Sequence, residues 1–182
     1  MTVNENSKPL LTVKGLKQYF KVSNNYTVHA VENVSFQIYP GETYGLVGES
    51  GSGKSMTALA IAGLLSRHDM KKTGEILFEG TDLLHCERSF LRELQGNDIS
   101  VVFQEPMTSL NPVFTIGYQI EESLILHKGM DKKAARQQAI HLLELVGIPE
   151  AGKRVDEYPH QLSGGMRQRV MIAMALAGDP EL

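Results

Sequence analysis

The sequence contains no tryptophan and a single cysteine, Cys86, among its 182 residues. A lone cysteine excludes an intrachain disulfide and fits a protein of a reducing compartment. Every apolar run is shorter than the about 20 residues that a membrane-spanning helix requires. The opening MTVNENSKP also lacks the basic-then-apolar order of a secretory signal. We therefore expect any role at a membrane to be peripheral, without a direct span, and to depend on partner proteins.

The sequence also lacks a large excess of charge of one sign. The formal net charge is -3, and the lysines and arginines are scattered along the chain rather than grouped. Proteins that bind nucleic acid present a basic patch to the phosphate backbone, so the sequence predicts no nucleic-acid partner. A hydrophobic content of 42% and a charged content of 21% are ordinary for a globular protein. The length suits one large domain or most of one.

The most specific pattern is GESGSGKS at Gly48–Ser55, which fits G-x-x-x-x-G-K-[ST] at every fixed position. It lies between an apolar run, Thr43–Val47, that predicts a strand and a run, Lys54–Leu65, that predicts a buried helix. In such a loop, backbone N–H groups and the helix N-terminus hold phosphates. Lys54 would contact the β- and γ-phosphates, and the Ser55 hydroxyl would bind Mg²⁺. A Gly/Ser-rich turn is the alternative, but the flanking runs favour a nucleoside triphosphate site.

Antiparallel β structure is predicted ahead of this loop. Four short runs read as strands, with a break at Gly15: Leu10–Val13, Leu16–Lys21, Thr27–Val31 and Val34–Tyr39. Residues 1–9 are polar, and we expect them to be disordered. Tyr19-Phe20 is a candidate platform on which a purine ring stacks, although aromatic residues in β structure more often belong to a core.

Further elements are predicted after the loop, namely a strand at 73–80 and helices over Glu87–Leu94, Ile116–His127 and Asp131–Val146. The last of these helices is expected to have Asp131 as its N-cap, to stop at Gly147 and to carry an apolar face of Ala135, Ala139, Leu142, Leu143 and Val146. The continuous apolar run Ile99–Phe103 is typical of a strand in a buried parallel sheet. Gln104 follows it, where ligands bind in open α/β sheets, and its amide oxygen could ligate Mg²⁺ or orient a water. A solvated loop glutamine is the alternative.

LSGGMRQR at Leu162–Arg169 leads into a helical run at Val170–Ala177. Ser163-Gly164-Gly165 before a helix offers free N–H groups, a hydroxyl and a helix N-terminus, which together form a second candidate anion site. An ordinary N-cap with flexible glycines remains the alternative.

In this order, the phosphate loop, Gln104 and LSGG resemble the ATP-binding subunits of ABC transporters. VGESGSGKS, VFQEPMTSLNPVFTIGYQI and YPHQLSGGMRQRVMIAMAL look like the ATPase subunits of bacterial oligopeptide/dipeptide importers, with nickel importers also similar. The resemblance implies an α/β P-loop NTPase fold with an N-terminal antiparallel β subdomain, a central parallel sheet and a helical subdomain, about 105–165, that carries LSGG. The domain would occupy residues 10–182 and be incomplete at its C-terminus.

The resemblance also implies ATP and Mg²⁺ as cofactors. The residues that would bind them are Phe20 (with Tyr19 as the near alternative), Gly48, Glu49, Ser50, Gly51, Ser52, Gly53, Lys54, Ser55, Met56 and Gln104, with Ser55 and Gln104 at the metal. The signature residues Leu162, Ser163, Gly164, Gly165 and Met166 would contact the ATP of a second ATPase subunit, in a homodimer or a heterodimer. The segment of about Glu105–Gln119 would receive a transmembrane permease.

Members of this family continue beyond GDPEL into a strand ending in Asp-Glu, a D-loop and a switch histidine. The given sequence stops before all three, so we expect a fragment with no catalytic residue present, apart from the positioning role of Gln104, and with little ATP turnover. The expected function is to couple ATP binding and hydrolysis to peptide import at the cytoplasmic face of the inner membrane. The alternatives are a non-hydrolysing remnant that binds nucleotide or a partner, and a nickel or glutathione importer. LSGGMRQR disfavours a P-loop kinase or GTPase.

Overall fold

The computed structural model describes residues 8–23, 25–65, 70–105 and 109–182. The chain divides into two compact units, Met1–Arg92 and Glu93–Leu182. The strands are β1 (Leu11–Ser23), β2 (Tyr26–Ile38), β3 (Met70–Phe78) and β4 (Thr81–Asp82). The helices are α1 (Lys54–Ile61), α2 (Arg88–Leu94), α3 (Ile116–Lys128), α4 (Lys132–Leu145), α5 (Ala151–Arg154) and α6 (Gly164–Leu176), with a 3₁₀ turn at Pro159–Gln161.

The first unit is built on an antiparallel sheet of order β2-β1-β3-β4. The central strand β1 pairs with both neighbours, so that Leu11 lies opposite Ile38 on one side and Phe78 on the other. Its apolar side chains are buried together with those of β3, as shown by Leu16 and Ile76, which are both 0% exposed. This confirms the predicted antiparallel β structure.

The predicted breaks in the first four strands are wrong. β1 runs through Gly15 and β2 runs through Asn33 without ending. Both residues have positive φ, 54° and 53°, and the pairing of the two strands shifts in register between Val13 and Leu16. A β-bulge accommodates extra residues while the strand continues, so the glycine bends the strand instead of breaking it.

Two runs predicted as strands of a parallel sheet, Thr43–Val47 and Ile99–Phe103, do not belong to a strand in the structure. Several of their apolar side chains are exposed, Val47 to 90%. A parallel strand exists only beside a hydrogen-bonded neighbour, and the described residues provide no continuous one along these runs, only an isolated parallel bridge between Gln95 and Ile99. A start of such pairing is present at Ile99: Leu182 N–H donates to Asp98 O over 3.0 Å and Ser100 N–H donates to Leu182 O over 2.9 Å.

The second unit has a helical core in which α3, α4 and α6 contact one another. Its fully buried side chains include Ile116, Ile120, Leu143, Val155 and Val170. As predicted, Asp131 caps α4, accepting hydrogen bonds from Lys133 N and Ala134 N at 2.9 Å each, and the helix stops before Gly147. Within the described ranges, the helices are too short or too polar to cross a bilayer.

Two helix boundaries differ from those predicted by more than one residue. α1 ends at Ile61 rather than Leu65, because Gly63 has a φ of 68° and turns the chain. α6 begins at Gly164 rather than Val170, because the Ser163 side chain caps it directly. Of the segment 1–9 expected to be disordered, residues 1–7 lie outside the described residues, as do residues 106–108 of the Glu105–Gln119 segment.

Candidate functional site

The phosphate-loop motif forms an exposed loop that leads directly into α1. Gly51 and Gly53 have positive φ, 81° and 89°, and Gly53 is the N-cap of the helix. A Cβ on Gly53 would overlap the carbonyl oxygen of Ala30 in β2, whereas a Cβ on Gly51 would meet nothing within 4 Å. Gly53 is therefore required both for its backbone conformation and for close contact between the loop and the sheet.

A β-bulge in β2 provides the other half of this contact. Gln18 pairs with Val31 and the next residue, Tyr19, pairs with His29, so Ala30 has no partner in β1. The extra residue bends the strand. The bulge thus lies where Gly53 packs, which positions the phosphate loop on the sheet. No sequence motif marks Ala30, so the bulge was not predicted.

The loop offers unused hydrogen-bond donors. Within the described part of the chain, the N–H groups of Gly51, Gly53 and Lys54 have no acceptor. They lie in four consecutive residues at the N-terminus of α1, where the helix dipole favours negative charge. The residues present therefore fit a polyphosphate.

The Lys54 ammonium folds back over the loop. Its Nζ donates to Gly48 O over 2.8 Å and to Glu49 O over 2.7 Å, and Ser52 Oγ lies 3.5 Å away. The positive charge is thus held against loop carbonyl groups, where phosphate oxygens can replace them as acceptors.

Thr57 stabilises the first turn of α1, a role that was not predicted from the sequence. Thr57 is 3% exposed and donates twice to Gly53 O, through its N–H at 2.8 Å and its hydroxyl at 3.0 Å. Ser55 is exposed, and its hydroxyl has no partner among the described residues. An exposed hydroxyl beside the loop fits one ligand position of a Mg²⁺ ion.

A cavity of about 540 Å³ adjoins the loop and is lined by Phe20, Val28, Ala30, Met56, Leu64, Leu65 and Met70. Phe20 and Met56 were expected at a nucleotide site, whereas the other five residues were not. The near alternative, Tyr19, is engaged elsewhere: its ring stacks on His29 with centroids 4.0 Å apart, and its hydroxyl donates to Glu32 over 2.7 Å. The geometry favours Phe20 over Tyr19 as the aromatic platform.

Tyr19 belongs to an exposed polar network on β1 and β2. Glu32 also pairs with Lys17 at 3.1 Å and with His29 Nδ1 at 3.0 Å. Hydrogen bonds from Tyr19 and Lys17 lower the pKa of Glu32, and the hydrogen bond to Glu32 raises the pKa of Lys17. This network fixes the Tyr19 ring and thereby the pairing register of β1 with β2 beside Phe20.

In the second unit, Gln104 is exposed, and its role toward a nucleotide stays a prediction. The signature is anchored by Leu162, which is 4% exposed, while Ser163 Oγ accepts from Met166 N over 3.3 Å. A Cβ on Gly164 or Gly165 would meet nothing within 4 Å. Packing inside the chain therefore does not demand these two exposed glycines.

An apolar surface lies at the start of α3. Val113 is 70% exposed, and the rings of Phe114 and Tyr118 stack on each other with centroids 4.7 Å apart. The buried Gln119 holds the segment beneath: its Oε1 accepts from Asn111 N over 2.8 Å, and its Nε2 lies 3.1 Å from both Asn111 O and Phe114 O. The partner contact predicted from the sequence covers this segment, but the supporting role of Gln119 was not predicted.

Comparison with known proteins gives one consistent family. The model of the ABC transporter family matches residues 31–182. The dipeptide transport ATP-binding protein of Bacillus subtilis is 50% identical over 174 residues, which are 95% of this chain and 52% of that protein. An oligopeptide transport ATP-binding protein of the same organism is 53% identical over 174 residues, covering 95% of this chain and 53% of that protein. This chain therefore spans about half the length of the curated relatives it matches.

Solved structures agree with this result. A dimeric structure of a bacterial ABC transporter cassette matches with a TM-score of 0.81 and 29% identity, covering 93% of this chain and 70% of that one. A second dimeric structure, of a cassette in a post-hydrolysis state bound to ADP and phosphate, matches with a TM-score of 0.82. The predicted fold class, that of a P-loop ABC ATPase with an antiparallel β subdomain and a helical part, is thereby confirmed, although the described residues form no central parallel sheet. The boundaries 10–182 and 105–165 and the individual site residues stay predictions.

Proposed function

The chain belongs to the ABC transporter family, and on that basis we propose that it binds MgATP as part of the ATP-binding subunit of a peptide importer. The relatives named for dipeptide and oligopeptide transport, at 50% and 53% identity, support the peptide assignment. ATP hydrolysis coupled to import is proposed for the whole subunit.

One observation carries the nucleotide proposal. The N–H groups at the N-terminus of α1 have no acceptor in the described chain, and the Lys54 ammonium sits against Gly48 O and Glu49 O, 2.8 and 2.7 Å away. A triphosphate supplies acceptors for all of these donors at once. Ser55 would supply an oxygen to Mg²⁺, and Phe20 would stack on the base.

Titration calorimetry with ATP, with and without Mg²⁺, tests this proposal. Lys54→Ala should weaken ATP binding by about tenfold or more, because it removes a charge-assisted contact to phosphate. Lys132→Ala, at an exposed lysine of α4, is the matched control and should bind as the wild type does. Equal ATP affinity of Lys54→Ala and wild type would refute the proposed site.

We assign the signature, Leu162–Met166, to the ATP held by a second ATPase subunit. The exposed Gly164 and Gly165 have N–H groups without an acceptor in the described chain, and a Cβ on either would meet nothing within 4 Å. A flat, donor-rich surface of this kind suits a phosphate group that arrives from outside the chain. The partner would be a second copy or a related subunit.

The apolar surface of Val113, Phe114 and Tyr118 is the proposed contact with the transmembrane permease. It lies within Glu105–Gln119, and large exposed apolar groups grouped on one surface are typical of protein contacts. Through that contact the subunit would work at the cytoplasmic face of the inner membrane as a peripheral protein.

A further inference from the structure

The sheet register places a polar pair beside the Phe20 cavity. Gln18 lies opposite Lys72 of β3, and Phe20 lies opposite Met70, with no register shift between the two pairs. Opposite residues of an antiparallel pair share a face, as do residues i and i+2 of one strand. The Gln18–Lys72 pair is therefore the next row on the sheet face that carries Phe20 and Met70, both of which line the cavity.

Gln18 is a buried amide without partners. The residue is 0% exposed, and neither Nε2 nor Oε1 has a hydrogen-bond partner among the residues that the structure describes. Buried polar groups in folded proteins are nearly always satisfied, because burial removes the water that would otherwise bind them. An unsatisfied carboxamide in the row next to a cavity is therefore a candidate for completion by a ligand.

Lys72 is the competing candidate in the same row. It is half-buried, and burial lowers its pKa below the usual 10.5. No partner of its ammonium is found in the described part of the chain. A lysine has a long stem whose charged end can reach water, whereas the fully covered amide of Gln18 cannot. Of the two, Gln18 is thus the one that needs a ligand.

We propose that Gln18 reads the edge of the nucleobase that stacks on Phe20 and so selects adenine; the proposal rests on the nucleotide site described above. A carboxamide places a donor beside an acceptor, which matches the N7 and N6 positions of adenine. Guanine presents two acceptors, N7 and O6, along the same edge, so the amide oxygen would face an unfavourable partner in either orientation.

Access to Gln18 is provided by flexible neighbours. Met56 and Met70 both line the cavity, and methionine side chains are unbranched and change rotamer readily. The base edge reaches the amide when these thioethers move aside. The Gln18 amide therefore becomes accessible to the base only when the nucleotide binds, so the selectivity does not require an open polar pocket beforehand.

Calorimetric binding of ATP, GTP and inorganic tripolyphosphate to the 182-residue chain tests the proposal. Wild type should bind ATP about tenfold or more tightly than GTP. Gln18→Met, a change of similar volume, should bind the two nucleotides nearly equally and should leave tripolyphosphate binding unchanged. Its ligand-free melting temperature should not fall, because the lost amide made no hydrogen bond. Gln137→Met, on α4, is the matched control and should keep the wild-type ratio.

Different results would contradict different parts of this account. An ATP-to-GTP affinity ratio in Gln18→Met equal to that of wild type overturns the proposal. If the melting temperature of the same variant is also lowered, Gln18 has a structural role instead. Loss of the preference for ATP over GTP in Lys72→Met, but not in Gln18→Met, would assign recognition of the base to Lys72 and would also overturn the proposal. Failure of wild type to bind tripolyphosphate and both nucleotides would instead refute the nucleotide site itself.

Discussion

The contact between the phosphate loop and the sheet predicts a large difference between two glycine substitutions. Gly51 and Gly53 are two residues apart in the same loop, and both have positive φ, 81° and 89°. Alanine in this conformation costs about 1–2 kcal/mol at either position. A Cβ at Gly53 would in addition overlap Ala30 O, whereas a Cβ at Gly51 has open space around it. Forced overpacking of this kind costs a further about 1–3 kcal/mol.

Gly53→Ala should therefore be less stable than Gly51→Ala by about 1–3 kcal/mol, since the backbone strain is common to both. For a chain of this size, each kcal/mol corresponds to a shift in melting temperature of about 2–4 °C. Urea unfolding followed by circular dichroism gives the free energies, and thermal melts give the shifts. Equal destabilisation by the two changes would show that the loop does not press on the β2 bulge, and the account of how the sheet positions the loop would then be wrong.

Two further predictions concern the supports of the candidate sites. Gln119→Ala should lower the free energy of unfolding by about 1–3 kcal/mol, because it removes two hydrogen bonds of the buried Gln119 amide to Asn111, each of which contributes about 0.5–1.5 kcal/mol. Urea unfolding against exposed Gln137→Ala measures this, and an unchanged midpoint would contradict it. Because the folded-state pKa of Glu32 lies below its ordinary value of 4.5, its stabilising effect is present above that pH and is lost as the pH falls through the folded pKa. Glu32→Gln should therefore flatten the acid limb of melting temperature against pH, and a limb identical to wild type would count against the network.

Local patterns in the sequence predicted the elements whose causes are local. Asp131 and the apolar residues that follow it at helical spacing predicted the start and the buried face of α4, and Gly147 predicted its end. The motif at Gly48–Ser55 gave the loop, because glycine positions and the lysine are fixed by the phosphate-binding conformation itself. Phe20 was preferred to Tyr19 only by alignment with the family, and the structure supplies a physical reason in the stacking of Tyr19 on His29.

Features that depend on distant parts of the chain were not accessible in this way. The Ala30 bulge is a property of the pairing between β1 and β2, and neither strand alone indicates which residue will be left out of register. The unsatisfied amide of Gln18 is likewise invisible in sequence, where a glutamine between Lys17 and Tyr19 looks like an ordinary polar strand residue. Both lie beside the cavity, so the missed residues are the ones that shape the base end of the candidate site.

Whether the two apolar runs that were wrongly predicted as strands form a sheet also depends on other parts of the chain. Thr43–Val47 and Ile99–Phe103 have the composition of buried parallel strands, but composition only makes a segment suitable for a sheet. A strand forms when its N–H and C=O groups meet those of a neighbour. Among the described residues such pairing is confined to the start of the second run, where Ile99 donates to Leu94 O and accepts from Gly96 N, and where Leu182 bonds to Asp98 O and Ser100 N. Those bonds have the slanted order of a parallel pair, because Leu182 both accepts from and donates to the strand on either side of one residue. The ladder therefore starts where a neighbour is present, and the apolar residues beyond it, Val102 and Phe103, are 46% and 44% exposed because pairing does not continue there.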